Sequence, residues 1–262
     1  MHTLLTSGQQ TSTAILLAEA ARVRGLSLRA ADNLSGLREH IVHWYGGPAA
    51  AARVADVLDL KLLEPPDDWL VKLPESLAGR RIDLTTAAIA RTRQGPAFLK
   101  PPRDKTFPAT VYSDGSELPD LPPDTPVLIS EVVTFAAEYR LFVLDGEVVT
   151  GSRYATFGHL DVGPLVESAR TFALDVIADL PSAVVVDVGQ IADPATARRR
   201  WAVVEANMPW FAQSYGADPA RVLDVILRAT GPLSQFSPVD RRFLGLDNAA
   251  DEVQSSNKGV LE

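Results

Sequence analysis

The chain has 262 residues, of which 46% are hydrophobic and 22% charged, and a formal net charge of −8; that is the balance of a globular protein with material for one large or two modest domains. It contains no cysteine, which excludes disulfides, zinc–thiolate sites, iron–sulfur clusters and a cysteine nucleophile. The acidic balance argues against nucleic-acid binding, and with no basic-then-apolar leader and no long apolar run the expectation is a cytoplasmic protein with no membrane partner.

A short strand is predicted at residues 2–5, then a helix over 14–24 with Thr11, Ser12 and Thr13 as capping residues and Gly25 as its stop. A return strand over 26–30 makes this a βαβ start. The Gly46-Gly47-Pro48 turn leads into an alanine-rich helix over 49–58, and Pro65-Pro66-Asp67-Asp68 breaks the next segment. His40 and His43 read as helix-face residues, and a further helix is predicted over 84–93, stopped by Gly95-Pro96. Neither a Gly-x-Gly-x-x-Gly fingerprint nor a Walker-type lysine loop occurs, so both familiar glycine-loop nucleotide folds lose support.

From Ala97 the texture changes to strands: 97–100, 109–112, 127–131, and a hairpin of 139–144 with 147–154 around Asp145-Gly146. Residues 119–126 form a rigid, exposed proline connector. Helix returns over 165–180, followed by an apolar strand interrupted by Asp187 and a second strand, Trp201 to Trp210, carrying Glu205 and Asn207. Arg198-Arg199-Arg200 beside Asp193-Pro194 reads as a solvated turn. A last helix starts at Pro219 and ends near Ala229, and the polar stretch 246–262 is expected to be a flexible tail.

Side chains in a strand alternate, so Glu205 and Asn207 share a face while Val204 and Ala206 are expected to point into packing. If the Asp187 strand lies alongside, three oxygen-bearing side chains converge, a donor set suited to Mg²⁺. Lys100 ends a strand before Pro101-Pro102, and Lys105 follows it in the same loop; lysine suits phosphate oxygens, although a surface loop would carry the same residues. Glu131-Val132-Val133 precedes Glu138-Tyr139-Arg140. Backbone groups in such a linker can hold a planar base, and Glu138 with Arg140 admits an ordinary ion pair along one strand face.

The order of Phe98-Leu99-Lys100-Pro101, Lys105, Glu131-Val132-Val133, Glu138-Tyr139-Arg140, Arg153-Tyr154, Asp187 and Val204-Glu205-Ala206-Asn207 resembles the ATP-grasp superfamily. It most resembles the branch with a second lysine in the phosphate loop and an aromatic run after the metal strand, here Trp210 to Tyr215. The resemblance implies an α+β fold in which two sheet-bearing lobes clamp ATP, with an α/β domain over residues 1–94 and the ATP-grasp domain over 95–245. It implies that Lys100 and Lys105 hold phosphates, that Glu131, Val132 and Val133 face adenine, and that Glu138 binds ribose. It assigns Mg²⁺, or Mn²⁺ in its place, to Asp187, Glu205 and Asn207, catalytic roles to Arg140 and Arg153, and the substrate approach to Trp210, Ser214 and Tyr215.

The implied activity is ATP-dependent ligation of a carboxylate to an amine through an acyl phosphate, on a small-molecule, amino-acid or peptide substrate, in a chain that as a family trait would form a homodimer. A phosphotransferase using the same ATP site and a non-catalytic ATP-binding module remain the alternatives. Pro101-Pro102 and Pro108 stand where many relatives have a glycine-rich phosphate loop.

Overall fold

The computed structural model describes residues 1–103, 106–193, 196 and 198–245; Lys105 and the expected tail lie outside them. The chain opens with β1 (His2–Thr6), α1 (Ser12–Val23) and β2 (Ser27–Ala30), then β3 (Ile41–Tyr45), α2 (Pro48–Ala55), β4 (Lys61–Leu62), α3 (Trp69–Lys72) and α4 (Glu75–Ala78). It continues through β5 (Ile82–Thr86), α5 (Ala87–Ala90), β6 (Ala97–Lys100), β7 (Thr110–Tyr112) and β8 (Pro126–Ser130). The long strands β9 (Phe135–Leu144) and β10 (Glu147–Thr156) come next, with β11 (His159–Pro164), α6 (Glu167–Leu174), β12 (Ala183–Ala192), β13 (Arg199–Asn207), α7 (Pro219–Ala229) and β14 (Thr230–Gly231). Among the described residues no helix is long and apolar enough to cross a membrane.

Three sheets carry the architecture: parallel β2-β1-β3, a four-stranded β5-β8-β6-β7, and a five-stranded β11-β10-β9-β12-β13. In both larger sheets the pairings are antiparallel. The β9–β10 hairpin turns at Asp145 and Gly146, both at positive φ (49° and 84°), as a two-residue turn matched to strand twist requires. Helix α7 begins as its sequence dictates, Pro219 following an Asp218 cap whose carboxylate accepts from Ala220 N at 2.8 Å.

Several local readings are corrected. The expected helix over 84–93 is a strand to Thr86 and only then a helical turn, because Ile82–Thr86 pairs along β8 and tertiary pairing overrides the helix propensity of the alanines beyond it. His43 sits on β3, 2% exposed, rather than on a helix face. Helix α6 stops at Leu174, short of the expected 180. Arg199 and Arg200 open β13 instead of forming a turn.

The five-stranded sheet is covered differently on its two faces. On one, Tyr139, Leu141, Val143, Val184, Val186, Val188 and Val203 pack against α6 and Trp69. On the other, Phe142, Ala183 and Val185 join α7 and the first sheet in the main core with Leu4, Leu5, Trp44 and Ile226. Farther along that second face the apolar side chains give way to charge, and there the candidate site begins.

Candidate nucleotide and metal site

One row of register partners crosses four strands of that face: Ser152 on β10 pairs with Arg140 on β9, Arg140 with Asp187 on β12, and Asp187 with Glu205 on β13. Directly opposite residues bring their side chains together, so the sheet itself assembles the cluster. Asp187 is fully buried and is held in a fork by Arg140, Nε to Oδ1 at 2.9 Å and Nη2 to Oδ2 at 2.6 Å. Such a bidentate pair fixes geometry as well as charge. Burial disfavours the Arg140 guanidinium, but the carboxylates of Asp187 and Glu205 outweigh it and hold its pKa above the ordinary arginine value.

Glu205 is reached from the other sheet, where Lys100 Nζ at the end of β6 lies 2.5 Å from its Oε2. Asn207 donates Nδ2 to Glu205 Oε1 at 2.9 Å and to Asp187 Oδ2 at 3.4 Å. Burial raises the Glu205 pKa, yet the Lys100 ammonium and the Asn207 amide lower it to about 2, so the carboxylate is ionised at neutral pH. No group of three His, Cys, Asp or Glu able to hold a metal occurs among the described residues; here the third donor is a carboxamide. Two carboxylates and an amide carbonyl are hard oxygen donors, a set that fits Mg²⁺ or Mn²⁺.

Two β-bulges shape the approach. The β12–β13 register runs Asp187↔Glu205 and then Val188↔Val203, leaving Val204 as an extra residue; the β9–β10 register likewise skips Tyr154 between Arg153 and Ala155. A bulge re-aims side chains, and both extra residues line a cavity of about 480 Å³ between the two larger sheets. Val204 therefore faces the cavity rather than packing, whereas Ala206 packs as expected. Lys100, Glu138, Glu205 and residues 131–133 line the same cavity.

The linker supplies backbone selectively. Glu131 N donates to Arg81 O at 3.2 Å and its carbonyl accepts from Ser130 Oγ at 3.2 Å, so its main chain is already committed. Val132 and Val133 have no such hydrogen bonds among the described residues. Glu138 does not pair with Arg140; it accepts from Tyr154 Oη at 2.7 Å, and burial raises its pKa. The Tyr154 ring stacks on Tyr215 with centroids 5.0 Å apart, and the Arg140 guanidinium lies 5.6 and 5.3 Å from the two ring centroids.

Three residues expected at the site part from this cluster. Trp210 is fully buried in the main core, donating Nε1 to Leu63 O at 2.9 Å, and cannot line a substrate approach. Ser214 is 1% exposed and bonded to Thr13. Arg153 pairs in register with Tyr139, whose ring lies in the α6-facing core, and its guanidinium is engaged by Asp161 at 3.0 Å; as the neighbour of Ser152, which pairs with Arg140, it takes the opposite face by plain strand alternation. Tyr215, by contrast, stands against Arg140.

Arg80 is the residue the sequence does not disclose. It is buried, lines the cavity, donates to Val203 O at 2.7 Å and Val204 O at 3.2 Å, and lies 5.5 Å from the Phe135 ring centroid. Burial lowers its pKa to about 10, which leaves it charged at neutral pH. Apart from Ala78 O at 2.9 Å, its partners are carbonyls more than 120 positions away, so no local motif marks it.

Two sheets closing on a cavity, with a lysine on one and an acid, acid, amide set on the other, define an ATP-grasp fold. The family model of one clade of the ATP-grasp domain matches residues 77–225, and the chain belongs to that family. Among solved structures it is similar to a RimK domain protein ATP-grasp from Sphaerobacter thermophilus DSM 20745, at 15% identity over 87% of this chain and 100% of that one, with a TM-score of 0.51. It is also similar to D-alanine–D-alanine ligase from Bacillus anthracis complexed with ATP, at 12% identity over 87% and 96% of the two chains, with a TM-score of 0.49. No curated protein matches it in sequence.

Proposed function

We propose that the chain is an ATP-dependent ligase that joins a carboxylate to an amine, releasing ADP and phosphate. The observation that carries this reading is that Lys100 and Glu205 line two cavities at once. One is the 480 Å³ cavity of the linker and Glu138; the other, about 530 Å³, opens on the far side between Glu64, Arg103, Pro101, Pro102 and Met208. Nucleotide in the first and acceptor in the second would meet at the lysine–glutamate pair. Membership of the ATP-grasp family supports the nucleotide half of the reading.

In this reading Val132 and Val133 offer their main chain to adenine, Glu138 receives ribose hydroxyls, and Lys100 exchanges Glu205 for phosphate oxygens. Asp187, Glu205 and Asn207 would hold Mg²⁺, which supplies neutralisation of the phosphate charge. Arg140, charged and fixed by Asp187, adds positive potential where the transferred phosphoryl group develops charge. The acceptor carboxylate attacks the γ-phosphorus, forming the acyl–phosphate bond and releasing ADP; the amine then displaces phosphate.

The test is ADP release with pooled small carboxylates, amino acids and peptides, combined with hydroxylamine trapping and mass spectrometry. A hydroxamate and an amide product are expected. A stable phosphorylated product without hydroxamate would identify a phosphotransferase, and bound ATP with no turnover a non-catalytic module.

A further inference from the structure

The Arg198-Arg199-Arg200 run is not used by the site above. These exposed residues line a groove of about 850 Å³ at the end of the five-stranded sheet, together with Val132, Val133 and Phe157, which also line the nucleotide cavity. Arg200 is anchored on Gly79 O at 2.5 Å and Arg199 reaches Gln190 Oε1 at 3.4 Å. Arg198 has no side-chain partner among the described residues, and one carboxylate, Asp193, stands on the rim and accepts from Thr196 N.

Phe157 supplies the second, independent observation. It occupies the first position of the β10–β11 turn at φ 47°, ahead of Gly158 at φ 75°, and is 53% exposed. Bulky side chains rarely adopt that left-handed conformation, where Asn, Asp or Gly is preferred. An aromatic ring held there, half in solvent, against local preference, points to a use for the ring.

We infer that this groove is a second nucleotide site, taking a nucleoside polyphosphate with its ring against Phe157 and its phosphates among Arg198, Arg199 and Arg200. Arg198 and Arg200, two positions apart in extended chain, leave the backbone on one side about 7 Å apart, the scale of a phosphoanhydride chain. A bare phosphate would leave the apolar wall of Val132 and Phe157 unused. Guanidinium groups bind phosphate in bidentate fashion. Because the groove shares the Val132–Val133 wall, its occupant would abut whatever fills the first cavity.

The test is equilibrium dialysis of the full chain with the non-hydrolysable analogue AMPPNP, alone and against inorganic tripolyphosphate. Two equivalents are expected, the weaker losing at least tenfold in affinity in R198A/R199A while the tighter one is unchanged. A single equivalent, lost in Lys100→Ala and untouched by R198A/R199A, would overturn this inference alone; no bound nucleotide would overturn it together with the nucleotide reading of the first cavity. A second equivalent unaffected by R198A/R199A would overturn it as well. Tripolyphosphate binding as tightly as AMPPNP at the weaker site would refute the role of Phe157.

Discussion

His43 gives a pH dependence of stability that can be worked from the structure. Its ring is 2% exposed on β3, stacked on His2 with centroids 5.3 Å apart, with Nδ1 2.6 Å from the Thr230 carbonyl and Nε2 3.0 Å from His2 Nδ1. Burial lowers its pKa to about 4, with charge on His2 acting in the same direction and the Thr230 carbonyl opposing. In the unfolded chain the group titrates near its ordinary value of about 6.5. Between these values the unfolded state binds more protons than the folded one, so stability falls as pH drops from about 6.5 to about 4. Integrating over pH 6.5 to 4.5 gives a loss of about 2 kcal/mol from this one residue, a large share of the ~5–15 kcal/mol that holds a domain folded. Urea unfolding of wild type and His43→Gln at pH 6.5 and 4.5 isolates it, because carboxylate titrations are common to both proteins. The variant should lose about 2 kcal/mol less than wild type over that interval. Equal losses would refute a buried neutral imidazole at this position.

Asp187→Leu should cost about 3–5 kcal/mol because it strands the Arg140 charge, whereas Asp187→Leu with Arg140→Met should cost less than the sum of the single changes; additive losses in a double-mutant cycle would contradict the pair. Glu205→Ala should leave the fold intact by circular dichroism and abolish metal-dependent turnover, full activity being the contrary result. Lys100→Ala should weaken nucleotide binding more than it lowers stability, and unchanged AMPPNP affinity would count against its phosphate role. Phe157→Asn should raise stability by about 1 kcal/mol, since asparagine tolerates the left-handed turn; an unchanged or lowered melting temperature would remove the strain argument.

What could be read in the sequence tracks the range of the interaction that decides each feature. The Asp145-Gly146 hairpin and the Asp218-Pro219 helix start are set by residues within a turn of each other, and both are where local chemistry puts them. Asp187, Glu205 and Asn207 converge because two strands are neighbours, a condition the residues suggest and the register supplies. Trp210 shows the opposite case: an aromatic run beside a site reads as a substrate wall, but the main core took the indole. Arg80 and the strand at Ile82–Thr86 depend on partners far along the chain, β13 for one and β8 for the other. Strand alternation also fails across Val204 and Tyr154, because an extra residue changes which face the next side chain takes.

Val203 lies in the α6-facing core and Glu205 beside Asp187 on the opposite face, although they are two positions apart. One unpaired residue thus shifts the phase of the strand. Scanning by substitution would find Val204 forgiving to small apolar replacements. Deleting it would close the bulge and leave Val203 against Val188 and Glu205 against Asp187, so the acids would keep their face while the cavity lost the side chain that the extra residue puts in its wall.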